Sequence, residues 1–205
     1  MIIFELIVLY ISLPLIIYLQ WLDKPYIRLL LLFTLIYMLI ILYRDKNFTI
    51  NRLWHWNGVE HLKVILLRFV IAAIFLTSFT LYFYPELFLR FPTERPQIWL
   101  LVMVLYPILS AYPQEIIFRV FFFQRCNHFF SNISLLIFIN AILFGWMHIF
   151  LGNWIAVIFS FIGGLIFAHT YHKTNSVLLT TIEHALYGNF LFTIGLGWFF
   201  YHGNQ

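Results

Sequence analysis

Charge is what this sequence has least of. Asp, Glu, Lys and Arg make up 10% of its 205 residues, against 63% hydrophobic ones, and the mean hydropathy is +0.91. A soluble domain is about one quarter charged, so too few polar side chains remain here to cover a water-soluble core. Cysteine is nearly absent: Cys126 stands alone, which excludes an intrachain disulfide framework and a cysteine-rich metal site. The net charge of +4 is spread over several loops with no Lys/Arg stripe, which leaves no footprint for nucleic acid. The opening MIIFELIVLYISLPLIIYLQW has neither a basic leader nor a small-residue cleavage motif, and reads as a retained first span rather than a signal peptide.

What is abundant is apolar sequence in runs near the length of a bilayer crossing. A spanning helix needs about 20 such residues, whereas a barrel strand alternates over roughly 10. Seven segments qualify: 2–21, 26–43, 62–84, 97–125, 132–151, 153–171 and 176–200. The expected fold is therefore all-α, a polytopic bundle of seven spans in one membrane domain, 1–205. Pro113 is expected to kink or interrupt the fourth segment, and a split there gives eight. Within that domain the first three spans fill 1–96, with a polar, tryptophan-rich interfacial segment at 44–61, and a four-helix core fills 97–200. The loops on one side carry Arg44, Lys46, Arg52, Lys63, Arg125 and Lys173, and those on the other Lys24, Arg28, Arg90 and Arg95. That balance expects a cytoplasmic N-terminus.

Against this background a few polar residues stand out. Glu115 and Arg119 lie one helical turn apart on one face, inside a run otherwise fit for lipid. Intramembrane charge is costly and marks function by default, although a structural ion pair is the plain alternative. His148 falls late in the fifth span, one turn after Gly145. His184 falls in the seventh, inside TTIEHALYGN, with Glu183 before it and Asn189 five residues on. His55, His61, His128, His169, His172 and His202 read as solvated or headgroup-level histidines, and Cys126 as an unpaired structural thiol.

A buried Glu–His–His set admits three chemistries. A glutamate base with hydrogen-bond donors at the oxyanion gives hydrolysis. Two histidines and a carboxylate give a catalytic zinc, though no HExxH motif is present. A proton or ion pathway is the third. Counted from the near ends of their segments at 1.5 Å per residue, Glu115 and His184 lie about 15 and 12 Å deep and His148 about 24 Å. One site therefore requires the fifth span to start late or tilt.

The three motifs QEIIFR (Gln114–Arg119), FGWMH (Phe144–His148) and HALYGN (His184–Asn189), in that order and each in its own apolar helix, resemble the CPBP family of intramembrane glutamic endopeptidases, which includes the type II CAAX prenyl endopeptidases and bacterial Abi and bacteriocin-processing relatives. The resemblance covers roughly 110–199. It implies an intramembrane protease of a bacterial cytoplasmic membrane that acts on a membrane-anchored or lipid-modified substrate without a cofactor, zinc being the runner-up. It sets the family's first glutamate on Gln114, the second on Glu115, the arginine on Arg119, the histidines on His148 and His184, and the amide on Asn189, one place beyond the usual position at Gly188. Gln114 cannot act as a base. The base is then Glu115, or Glu183, or the chain is inactive. Glu115 is favoured, with Arg119 fixing it, His148 helping to hold the water, and His184 and Asn189 at the oxyanion. A catalytically inactive membrane adaptor or immunity-type protein, and a small proton-coupled transporter, are the alternatives.

Overall fold

The computed structural model describes residues 2–21, 24–56 and 60–201, without the side chains of Lys24, Pro25, Ile27, Arg28 and Leu31. Positions 57–59 of the 44–61 segment, the side chains of Lys24 and Arg28 weighed for orientation, and His202 lie outside the described residues.

Apolar runs become helices wherever they are long enough to bury their own backbone polar groups, as lipid demands. The longer described helices are α1 (Ile2–Tyr18), α2 (Lys24–Arg44), α3 (Glu60–Phe83), α4 (Pro96–Cys126), α5 (Ile133–Leu151), α6 (Trp154–Thr174) and α7 (Val177–Ile194), with short helical pieces at Arg90–Glu94 and Trp198–Tyr201. Five of them, α3 to α7, are long and apolar enough to cross a membrane; Ile2–Tyr18 and Leu32–Arg44 are shorter apolar stretches. The chain is an all-α, polytopic integral membrane protein. Its outward faces are apolar, with Leu67, Ile71, Ile74 and Phe75 of α3 all exposed, as a lipid-facing surface requires.

The possible break at Pro113 does not occur. α4 runs unbroken for 31 residues, with π-helical turns at Pro107–Ala111 and Ile116–Phe121 on either side of Tyr112–Glu115. Such turns accommodate an extra residue without ending the helix. The seventh expected segment stops earlier than forecast. Gly195, at φ +103°, closes α7, and a Cβ there would sit 2.0 Å from the Leu87 carbonyl oxygen, a position that only glycine fills.

Helix starts are fixed by side-chain caps. Asn132 accepts from Ser134 N at 2.9 Å, Asn153 from Ala156 N at 2.8 Å and Ser176 from Leu179 N at 3.2 Å. α5 and α6 form a close hairpin in which a Cβ on Gly164 would lie 2.9 Å from Ala141 Cα. The interfacial segment forms a 3₁₀ turn at Ile50–Leu53 and docks on the bundle end. Tyr112 donates to the Leu53 carbonyl, Ser176 donates to the His55 carbonyl, and Trp54 stacks on Tyr112. α1 packs against α4, its Tyr10 ring edge-on to Phe118 and Phe122 at 5.3 and 5.4 Å, and its Glu5 paired with Arg125 at 2.8 Å.

Candidate active site

Glu115 and Arg119 form the expected i, i+4 pair, with Arg119 Nε 3.0 Å from Glu115 Oε2 and both side chains at 0% exposure. Neither charge would be stable there alone, and the surroundings supply some of the remaining partners, Arg119 Nη2 being buried without a hydrogen bond. Arg119 Nη1 donates to Asn140 Oδ1 at 3.0 Å, and its guanidinium lies 4.7 Å above the Phe144 ring. Asn140 is held in turn by donating to the Phe118 carbonyl at 2.7 Å. A buried helix–helix contact thus fixes the arginine from α4 and α5 together.

The second carboxylate oxygen, Oε1, lies 2.8 Å from His184 Nδ1. A carboxylate only accepts, so Nδ1 carries the proton in this contact and Nε2 is left as the acceptor. Tyr106 places its hydroxyl 3.0 Å from that Nε2. His184 is further clamped by Phe167, stacked at 4.6 Å, and by the edge of Phe144. Gly188 makes the tyrosine contact possible, since a Cβ there would fall 2.2 Å from Tyr106 Cε1.

His184, Tyr106 and His148 line one cavity of about 150 Å³, walled by Phe144, Phe159, Phe167, Tyr187 and Phe200. His148 Nδ1 donates to the Phe144 carbonyl at 2.8 Å, which leaves its Nε2 as the free ring nitrogen. The depth mismatch counted from the sequence does not keep the two histidines apart: both line this cavity and both pack on Phe144, with ring centroids 5.7 Å from it for His184 and 5.1 Å for His148, although the fifth span starts at Ile133 and not later.

The remaining expected residues lie elsewhere. Glu115 stands behind His184, buried, and does not line the cavity. Gln114 turns away and donates to Ser110 Oγ at 2.8 Å. Glu183, next to His184 in sequence but about 100° around the helix, is bound on another face by Arg68 at 3.1 Å and by the Thr170 hydroxyl. Asn189 donates to the Met103 carbonyl at 3.1 Å. Among the described residues no group of three His, Cys, Asp or Glu is placed to hold a metal. The two cavity histidines offer two of the three protein ligands a catalytic zinc ordinarily takes, so the donor set falls short of a zinc site.

Sequence reasoning passed over Tyr106, Arg68 and Thr170. Arg68 was visible as a lone charge in an apolar run. Tyr106 carried no signal among 12 tyrosines.

Fold and site together define a polytopic membrane protein with a carboxylate-oriented histidine at the wall of an apolar cavity. Residues 96–191, a little under half of the chain, match the family model described as Type II CAAX prenyl endopeptidase Rce1-like. That stretch is homologous to this protease family, and Gln114, Glu115, Arg119, His148, Glu183, His184, Asn189 and Tyr106 all fall within it. No curated protein and no solved structure matches the chain.

Proposed function

We propose that the chain is an intramembrane endopeptidase that hydrolyses a peptide bond of a membrane-associated or lipid-modified substrate, without a metal. The observation that carries this reading is the linked set Arg119–Glu115–His184–Tyr106 ending at a cavity shared with His148. Glu115 acts through His184. Its carboxylate holds the Nδ1 proton, so that Nε2 takes a proton from water in the cavity, and it stabilises the imidazolium that results. The water oxygen bonds to the carbonyl carbon. The Tyr106 hydroxyl turns from Nε2 to donate to the oxyanion, which frees the Nε2 lone pair for the water proton, and His148 Nε2 accepts a hydrogen bond from the hydrogen that stays on the attacking oxygen. Collapse breaks the C–N bond, and the His184 proton passes to the leaving amine. Arg119 holds Glu115 in place. Asn189, Gln114 and Glu183 support the helices around this set.

The reading includes seven crossings, a cytoplasmic N-terminus in a bacterial cytoplasmic membrane, and catalysis seated in 97–200 with 1–96 as its frame. The uneven spread of Lys and Arg between the two loop sets supports the orientation.

The test is cleavage of candidate membrane-anchored peptides in liposomes by wild type, Glu115→Gln and His184→Ala. Both variants are expected to lower kcat by about 10²–10⁴ with the fold intact by circular dichroism. Unchanged turnover in either overturns the assignment. An inactive adaptor is the second reading, favoured by a Glu115 whose two oxygens are both engaged away from the cavity; it expects no cleavage by wild type.

A further inference from the structure

α3 and α6 both pack along α7, and they are pinned to each other at two heights. Toward one end Arg68 donates to Thr170 at 2.9 Å, and toward the other Phe79 meets Phe159 edge to face at 5.6 Å. Between these pins Ala72, Phe75 and Leu76 of α3 and Ile162, Gly163 and Ile166 of α6 line the cavity that holds His184. Phe75 is 62% exposed and Ile162 46%, so the cavity wall runs out onto the lipid-facing surface. The opening is a sideways slot with apolar lips.

The slot has a side as well as a direction. Its lining lies mostly in the second half of α3 and α7, the first half and middle of α6 and the last turns of α5. That is the bundle end carrying 84–95, 152–153 and 195–197. The loops with Arg44, Lys46, Arg52, Lys63, Arg125 and Lys173 are at the opposite end, the end that faces the cytoplasm in ordinary membrane proteins.

We propose that the occupant of this slot is the apolar anchor of a membrane peptide, entering sideways from the leaflet away from the basic loops, with its scissile bond near its non-cytoplasmic end. The inference rests on the peptidase reading for the reaction but not for the docking. Apolar lips select a hydrocarbon-embedded partner. Continuity with the hydrolytic cavity selects a peptide, because the groups at its floor suit an amide carbonyl.

The experiment uses the full chain in liposomes with an apolar synthetic peptide of about 20 residues, carrying a photoreactive benzoylphenylalanine in its apolar stretch and a quenched fluorophore pair at one end. Adducts on α3 and α6 between the pins are expected, reduced at least about tenfold in both Ala72→Trp and Ile162→Trp, a loss of differential binding of about 1.4 kcal/mol. Equal melting temperatures for these variants and wild type show that they fold. Adducts elsewhere, adducts insensitive to both substitutions, or labelling of the slot by a photoreactive acyl lipid but not by the peptide overturn the proposal. Crosslinking needs no turnover, so slot labelling without cleavage overturns only the peptidase reading, and cleavage without slot labelling overturns only this inference. For the leaflet, a membrane-impermeant maleimide on intact cells is expected to label Glu94→Cys and to miss Lys173→Cys until the cells are permeabilised; Cys126 is buried. The reverse pattern overturns the assigned side.

Discussion

Tyr106 and Gln114 lie two helical turns apart on the same helix, and they exchange the importance the sequence assigned to them. Tyr106 touches the ring nitrogen that faces the cavity, so Tyr106→Phe removes a donor without altering shape. It is expected to lower kcat by about 10²-fold with little change in KM, as steady-state kinetics on the liposome assay will show. Gln114 is tied to Ser110 instead. Gln114→Glu is expected to leave turnover within about threefold, far from the 10²–10⁴ of a general base; a large gain would return the base to that position. The polar residues of the site were legible because charge and imidazole are conspicuous in apolar runs. Their partners were not. Adjacency in sequence joined Glu183 to His184, yet helical rotation sends them to different neighbours, Arg68 and Glu115. A hydroxyl such as Tyr106 joins the candidate site only through a neighbour 78 positions away.

Among the elements, α4 and α5 share the central polar joint. Arg119 is fully buried and satisfies Glu115 on its own helix and Asn140 on the other. Arg119→Met leaves a buried carboxylate without its counter-charge, which costs about 3–5 kcal/mol in comparable buried pairs. A clear fall in melting temperature in detergent is expected, read by tryptophan fluorescence, while Arg119→Met combined with Glu115→Gln recovers part of the loss. Helix existence was readable from hydropathy, and the helices follow its order, although only α3 to α7 are long and apolar enough to cross a membrane. What hydropathy did not carry was continuity. Pro113 suggested an interruption, but the helix runs through it with a wide turn on either side. The end of α7 was also misjudged, because a glycine stop inside an apolar run leaves hydrophobicity unchanged.

On the scale of the molecule, the stretch homologous to the protease family does not close its own core. α1 lies outside 96–191 yet covers Phe118 and Phe122 with Tyr10, whose hydroxyl donates to the Ile117 carbonyl, one residue before Phe118. A chain lacking residues 2–18 is expected to lose its monodisperse profile in size-exclusion chromatography after detergent extraction, whereas Tyr10→Phe keeps it. An unaltered profile on truncation would show that α1 is an accessory. The sequence offered only hydrophobicity for this helix, so its role as a cover came from packing alone.

The wide turn at Pro107–Ala111 carries a final consequence. It lies between Tyr106 and Glu115 and holds one residue more than a regular turn. One residue amounts to about 100° of rotation, so the bearing of the hydroxyl relative to the carboxylate is stored in the length of this turn and not in either side chain. A relative lacking a single residue there could match every polar letter of the site and still aim the tyrosine at lipid. Comparing such chains therefore calls for aligning the winding of the helix before aligning its letters.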